Sequence, residues 1–153
     1  MIRKDGLLIE LNEDTRSVLI TIEGNKKYYM SININSIDKL IVFSSVYFDN
    51  QWKQTNSLIQ RSLANNPKKE NDYKYKYAEE GFLRGIKNPV PLVNIYIQIE
   101  KEFVIPTLID GLSRTNYLLA NKAKWLVFNC SNQEVGTINI DERNIFIIEK
   151  EEI

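Results

Sequence analysis

Six consecutive residues, Asp110 to Thr115, have the types and order expected of an anion-binding turn. Gly111 allows a tight turn that other residues enter less easily. A helix that starts directly after it would present free backbone N–H groups and the positive end of its dipole. Ser113, Arg114 and Thr115 would add side-chain donors to a bound phosphate. The spacing therefore predicts a phosphate-binding turn.

The same turn also has a purely structural interpretation. A glycine before a capped helix is common in α/β proteins, so Asp110 would then only brace the turn and Arg114 would pair with a surface carboxylate. An arginine in the first helical turn opposes the helix dipole at a cost of about 0.3–1 kcal/mol. Either a bound anion or a neighbouring carboxylate such as Asp110 would offset that cost, and the sequence leaves both open.

The composition excludes several kinds of active site. The chain has no histidine and one cysteine, Cys130, which rules out Ser-His-Asp triads, Cys-His dyads and most zinc sites. Lys and Arg total 20 and so do Asp and Glu, whereas a dedicated duplex-DNA binder usually carries a basic surplus. Any chemistry must then use carboxylates, lysine, tyrosine, arginine, backbone amides or a bound metal ion. Cys130 itself is predicted to be a small buried hydrophobe.

Length and hydropathy indicate one domain without a targeting segment. The chain has 153 residues, 43% of them hydrophobic, which is enough for a core without metals or disulfides. Met1 to Glu10 lacks the apolar stretch of a signal peptide, and no apolar run approaches about 18 residues. Together with the lone cysteine, these features predict a single domain, 1–153, in the cytoplasm.

A strand–turn–helix–strand unit is expected to position the turn. Strands are predicted at Leu92–Ile99 and Phe103–Ile109, before the turn, and at Trp125–Cys130, after the helix. The first of these has the clearest alternation of apolar and polar residues. Pro106 places the second at a sheet edge or at a bulge. The helix itself is predicted at Ser113–Lys122.

The start of this helix carries specific signals. Ser113 is a suitable N-cap residue, because its hydroxyl can accept a hydrogen bond from a first-turn N–H group. Leu112 before it and Tyr117 after it stand at the two positions of a hydrophobic staple. We therefore expect the helix to begin at Ser113, with Leu112 packed on Tyr117.

The first 35 residues predict a β-meander. Leu7–Leu11, Ser17–Ile22 and Tyr28–Ile34 are short apolar-rich runs separated by turn signals. With the later strands and helix, the fold class predicted is α/β (α+β), a mixed sheet with an N-terminal β-meander.

The remaining apolar segments complete the predicted elements. Lys39–Phe48 is predicted as a strand, and Gln51–Ala64 as one amphipathic helix. The tail, Val135–Ile148, has a β pattern interrupted by a turn. Trp52 and Trp125 are predicted to be core residues.

The segment Lys68–Glu80 is polar and rich in tyrosine. If it is extended, a spacing of two puts its tyrosines on one face, Tyr73, Tyr75 and Tyr77. Basic residues between them would suit base stacking in a nucleic-acid site. The simpler interpretation, a solvated strand or loop with its tyrosines on the edge of the core, is favoured by the absent basic surplus.

Two segments resemble the plasmid fertility inhibition factor family. Residues 84–93, Arg-Gly-Ile-Lys-Asn-Pro-Val-Pro-Leu-Val, look like its "GI-x-NPVPLA" segment. Residues 110–120, Asp-Gly-Leu-Ser-Arg-Thr-Asn-Tyr-Leu-Leu-Ala, look like its "nGRTRT-x-WLLA" segment. Ala123 with the following strand, and Phe48-Asp49-x-x-Trp52, are weaker matches. The resemblance covers residues 48–130 in the family's order.

The resemblance implies a ParB/sulfiredoxin-like fold whose equivalent turn binds nucleotide phosphates. It implies an inhibitor of conjugative transfer that binds or hydrolyses a nucleotide or nucleic acid. Arg84 and Asn88 would then border the same pocket as Arg114, and Asp110 or Asp49 would hold Mg²⁺ if hydrolysis occurs. Without the resemblance, Asn88 is a turn former, Arg84 a surface charge and Asp49 a helix cap.

Departures from the family pattern support a second hypothesis. Leu112 stands where the family has its first Arg, which removes one phosphate donor. The turn has no cysteine, so sulfinic acid reduction is rejected. These departures, with the small size and neutral charge, favour a catalytically inert interaction protein, such as an immunity protein or an inhibitor of a secretion-system component. The two hypotheses overlap, since a conjugation inhibitor can act purely by binding.

Overall fold

The N-terminal strands form the predicted meander. The computed structural model describes residues 1–132 and 141–153. Four antiparallel strands follow one another along the chain: β1 (Ile2–Lys4), β2 (Leu7–Asn12), β3 (Ser17–Glu23) and β4 (Lys27–Asn33). The sequence did not indicate β1. This first sheet is completed by a two-residue strand, β6 (Val90–Pro91), which pairs with β4 in parallel.

A second five-stranded sheet carries the strands around the predicted turn. Its members are β5 (Lys39–Ser44), β7 (Val93–Glu100), β8 (Phe103–Leu108), β9 (Trp125–Cys130) and β10 (Ile145–Glu149). The order is β10-β5-β9-β7-β8, with β7 and β9 parallel and the other pairs antiparallel. All six residues of β9 are buried. Pro106 lies on the edge strand β8, as predicted. The α/β class and the meander are confirmed.

The predictions for residues 39–64 need correction. The strand β5 ends at Ser44, because the Ser44 hydroxyl accepts a hydrogen bond from Tyr47 N–H and caps a helix, α1 (Ser45–Trp52). The single helix predicted at Gln51–Ala64 is wrong. A second helix, α2 (Leu58–Asn65), starts separately because Ser57 caps it by accepting from Gln60 N–H.

The strand or loop predicted for Lys68–Glu80 is wrong from Tyr75 onwards, where the segment is helical. After a short 3₁₀ turn, the chain forms a third helix, α3 (Tyr75–Leu83). At about 100° per residue, helical geometry separates side chains that a strand would align. Tyr75 is half-buried against the core, whereas Tyr73 and Tyr77 are 87% and 73% exposed.

The fourth helix, α4 (Leu112–Ala120), begins one residue earlier than predicted. Gly111 is its N-cap residue, in the left-handed region at φ 69°, so Ser113 is not the cap and the predicted staple positions do not apply. Ser113 instead donates from its hydroxyl to Asp72. The helix ends early because Lys122 turns into the left-handed conformation at φ 59°.

The core unites buried residues of both sheets in one hydrophobic cluster. Trp52, Trp125 and Cys130 are buried, as predicted, and burial raises the pKa of the Cys130 thiol. In the tail, residues 135–140 of the predicted β segment lie outside the described residues. The predicted turn before β10 is confirmed by a 2.8 Å hydrogen bond from Asn144 N–H to Asp141 O. No helix in the described part of the chain is long and apolar enough to cross a membrane.

Candidate functional site

A groove of about 870 Å³ lies where α2, α3 and the start of α4 meet. We call it the α2–α3 groove. Its lining combines apolar side chains, two aspartates and three cations, namely Ile59, Leu63, Tyr73, Tyr77, Ala78, Val90, Pro91, Leu108, Ile109, Leu112, Asp72, Asp110, Lys74, Arg84 and Arg114. The groove therefore contains most of the turn that the sequence singled out.

The structure brings five of the seven predicted site residues together. The α2–α3 groove is lined by Arg84 and by four residues of the turn: Asp110, Gly111, Ser113 and Arg114. The other two lie elsewhere. Asn88 is exposed outside the lining, after a short 3₁₀ turn. Thr115 is 1% exposed and lies under the helix start.

The turn holds its backbone close to strand β7. A Cβ atom at Gly111 would lie 2.4 Å from Cγ2 of Val93, so only glycine fits this position, where φ is also positive. The first helical hydrogen bond runs from Thr115 N–H to Gly111 O at 3.0 Å. The N–H groups of residues 112–114 precede that bond and have no carbonyl partner within the helix. This is the donor arrangement expected of an anion site.

Arg114 is held by the protein itself. Its Nη1 donates to the carbonyl of Pro91, and its Nη2 lies 3.9 Å from Asp110 Oδ1. Burial lowers the pKa of Arg114, and Asp110 counters that effect. Asp110 also accepts from the backbone N–H of Asn94 at 2.8 Å and from its Nδ2 at 3.0 Å. The dipole cost of an arginine at this position is thus offset by groups within the protein.

Asp72 places a second carboxylate at the start of α4. It accepts hydrogen bonds from Ser113 Oγ at 3.0 Å and from Asn116 Nδ2 at 2.8 Å. A negative charge is favourable at this end of a helix. Close by, α3 packs on α4 through Phe82 and Tyr117, whose rings stack with centroids 5.1 Å apart. Asp72 therefore anchors the loop before α3 to the predicted turn.

Asp49 lies in a different groove from Asp110. Asp49 was predicted to cap the helix that contains Trp52. It lies in the middle of that helix, α1, so this prediction is wrong. Its Oδ1 lies 3.2 Å from the Lys69 Nζ, and its Oδ2 lies 3.9 Å from the Lys53 Nζ. Asp110 and Asp49, the two aspartates predicted as alternative metal ligands, thus line two separate grooves. Within the described residues, no group of three or more His, Cys, Asp or Glu side chains is arranged to hold a metal ion.

Comparison with known proteins agrees with this architecture. Residues 41–139 match the family described as plasmid fertility inhibition factor. The chain belongs to this family. The match includes both segments on which the resemblance rested, and it leaves β1 to β4 outside. No curated protein sequence matches the chain.

One solved structure has the same fold as this member of the plasmid fertility inhibition factor family. It is the crystal structure of the Oncogenic Suppression Activity Protein, a plasmid fertility inhibition factor, as a gold(I) cyanide derivative. The TM-score is 0.69 at 20% sequence identity, over 83% of this chain and 69% of the other. At that identity the likeness concerns the fold alone.

The sequence did not predict Asp72 as part of the site, nor the exposed apolar side chains around the α2–α3 groove. The helical spacing of Tyr75, Ala78 and Phe82 was a usable signal, because residues three and four apart share a helix face. Tyr77 lies off that face, so a helix predicted for this segment would have placed Tyr77 on the exposed surface. Asp72 had no usable signal, because it is 41 residues from Ser113.

Proposed function

We propose that this protein inhibits conjugative transfer by binding a protein partner in the α2–α3 groove. The family supports the kind of activity. The chemistry of the groove supports binding as the mode of action, for the reasons that follow.

The observation that carries the proposal is the exposed apolar rim. Four large side chains around the groove are well exposed: Ile59 at 73%, Tyr73 at 87%, Tyr77 at 73% and Ile109 at 66%. Clustered apolar exposure of this kind marks interaction surfaces, since isolated exposed residues need no explanation but contiguous ones do. Tyrosine is enriched at such interfaces because it contributes a large rigid area at low entropic cost.

Some charged side chains of the α2–α3 groove have bonding partners elsewhere in the fold, and others have no ion-pair partner among the described residues. Asp72, Asp110 and Arg114 all bond to other parts of the fold. Lys74 and Arg84 line the groove and make no ion pair with any described residue. Opposite charge across an interface improves specificity and association rate. The partner is therefore expected to present acidic residues beside its apolar anchors.

A phosphate ligand at residues 110–115 is the second candidate, with a nucleotide and Mg²⁺ as its fullest form. The left-handed Gly111 favours this candidate, and so do the N–H groups of residues 112–114, which precede the first helical hydrogen bond. The carboxylate of Asp72, bonded to Ser113 at the same helix end, opposes it by repelling a second anion. That position already carries a negative charge, so we place the phosphate candidate second.

Thermal melts with ATP or CTP, with and without Mg²⁺, test the second candidate. A nucleotide present at about 100 times its Kd adds about 2.7 kcal/mol to the free energy of unfolding. For a chain of this size that raises Tm by roughly 5–11 °C. A shift in the wild type that Ser113→Ala removes would support the phosphate site. No shift would eliminate it.

Replacing Tyr77 with glutamate tests the proposed mode of action. Tyr77 is exposed, so the variant is expected to melt like the wild type, while its new charge faces the partner's acidic residues. Loss of one interface anchor of at least about 2 kcal/mol weakens binding roughly 30-fold. We expect the frequency of conjugative transfer from donors producing this variant to return towards that of donors without the protein.

Tyr96→Glu is the matched control for that assay. Tyr96 is 47% exposed on β7 and does not line the groove. This variant should inhibit transfer as the wild type does. Equal inhibition by the Tyr77 and Tyr96 variants would show that the rim takes no part.

A further inference from the structure

The strand edge that meets the α2–α3 groove is already occupied by a side chain. β8 is an edge strand, the kind of element to which an extended peptide of another protein can add. At its groove end, the N–H and the carbonyl of Leu108 both bond to the side-chain amide of Gln60, at 2.8 Å each. Two residues earlier, Pro106 has no N–H group to offer. An extended partner therefore cannot lengthen the sheet at this end of β8.

The second strand at the groove, β6, is closed in a similar way. Its residue Pro91 has no N–H group, and the Pro91 carbonyl accepts from Arg114 Nη1. The N–H groups of residues 112–114 are donors without the alternating acceptors of a strand edge, so they do not template a strand. A partner segment in this groove must then satisfy its own backbone hydrogen bonds, and a helix does so within one segment.

The walls of the groove also suit a helical occupant. Two of them are the helices α2 and α3, and the side chains of a helix form ridges against which another helix packs. Ile59 and Leu63 are four residues apart on α2, so they present one apolar ridge to the groove. Tyr77 adds a large exposed side chain from α3. Recognition of a helix in a groove uses apolar contacts of this kind.

Two cations mark the ends of the α3 wall. Lys74 directly precedes the helix, Arg84 directly follows it, and both line the groove. Tyr77 and Gly81 lie between them, at successive spacings of three, four and three residues, so the stripe follows one helix face. Arg84 Nε donates to Gly81 O at 3.2 Å, which holds the guanidinium at the end of α3. At about 1.5 Å per residue, the two cations are about 15 Å apart along the helix axis.

We propose that the α2–α3 groove binds an amphipathic helix of the partner protein, with two carboxylates three turns apart that pair with Lys74 and Arg84. Three turns of a helix take about 11 residues, rise by about 16 Å and return to the same face, which matches the separation of the two cations. Apolar side chains between the two carboxylates would contact Ile59, Leu63 and Tyr77. The inference names the partner segment, so it rests on the proposed function that this groove binds a protein.

Peptide display against the wild type, with binders of Tyr77→Glu removed, tests the proposal. The library holds random peptides of about 18 residues, which is about five helical turns. We expect the enriched peptides to have two Asp or Glu residues about 11 positions apart, with apolar residues at helical spacing between them. Circular dichroism should show that a free peptide of this kind gains helix when the protein is added.

Lys74→Glu tests the charge pairing with such a peptide. We expect at least about tenfold weaker binding, because a close charge pair across an interface becomes a repulsion. A lysine in place of one of the two acidic residues of the peptide should restore the affinity. Lys76→Glu is the matched control, because Lys76 is also exposed at the start of α3 but does not line the groove. Glutamate is favourable near a helix N-terminus in both variants, so both should fold.

Three results would overturn the helical partner segment: no enriched peptide, enriched peptides that bind without gaining helix, or equal affinity of the peptide for Lys74→Glu and the wild type. The mating assay distinguishes this failure from failure of the proposed function. If transfer is still restored with Tyr77→Glu, the groove binds a partner of another kind and the proposed function stands. If Tyr77→Glu suppresses transfer like the wild type, the proposed function itself fails.

Discussion

Gly111→Ala is expected to lower the free energy of unfolding by about 3 kcal/mol. A left-handed alanine costs roughly 1–2 kcal/mol, and overpacking a core typically costs about 1–3 kcal/mol. The overpacking arises because the new Cβ would lie 2.4 Å from Cγ2 of Val93, a stiff β-branched side chain that is 1% exposed. Thermal denaturation should show a fall in Tm of roughly 6–12 °C.

Gly85→Ala isolates the backbone contribution to that loss. Gly85 has nearly the same φ, 68°, but a Cβ atom there would have no neighbour within 4 Å. It should lose only about 1 kcal/mol, a fall in Tm of roughly 2–4 °C. Equal losses in the two variants would contradict the close packing of the turn on β7.

Gln60→Leu is expected to cost about 4 kcal/mol, because a buried side chain that bonds three groups would be lost. Gln60 is 7% exposed. Its Oε1 accepts from Trp52 Nε1 at 3.0 Å and from Leu108 N–H at 2.8 Å, and its Nε2 donates to Leu108 O at 2.8 Å. The amide thus pairs with the edge strand β8 as a neighbouring strand would. Leucine fills the space but leaves these groups without partners.

Gln51→Leu provides the comparison for that variant in denaturant titrations. Gln51 is similarly buried, at 8% exposure, but it makes one long hydrogen bond, 3.3 Å, from its Nε2 to the Tyr47 hydroxyl. We expect a change within about 1 kcal/mol, since a weak bond is exchanged for apolar burial. If Gln60→Leu were as mild as this control, the pairing of α2 with the edge of β8 would not contribute to stability.

The sequence predicted strands better than helices for a physical reason. In β7, Val93, Ile95 and Ile97 are buried and alternate with polar residues, so the two-residue period follows the packing. In α2 the spacing of the apolar residues predicts the wrong buried face. Gln60 is buried, while Leu58 and Ile59 are more than 70% exposed. Local hydrogen bonds then decided the boundaries, as the Ser57 cap shows.

The candidate site was predicted only where it is contiguous in the chain. Residues 110–115 could be read together, because the left-handed Gly111 and the helix start are local features. The groups that hold the turn are not local: Arg114 donates to Pro91 O, and Ser113 donates to Asp72. The apolar rim likewise joins α2, α3 and the end of β8, which only the folded chain brings together.

A single mating experiment with four donors tests most directly whether the apolar rim carries the inhibition. The donors produce no protein, the wild type, Tyr77→Glu or Ser113→Ala, and the frequency of conjugative transfer is measured for each. Ser113→Ala removes a candidate phosphate donor, and thermal melts establish that both variants are folded at the mating temperature. The account predicts that the wild type and Ser113→Ala suppress transfer equally, while Tyr77→Glu does not. Suppression by Tyr77→Glu with transfer restored by Ser113→Ala would contradict it and would assign the inhibition to the phosphate turn.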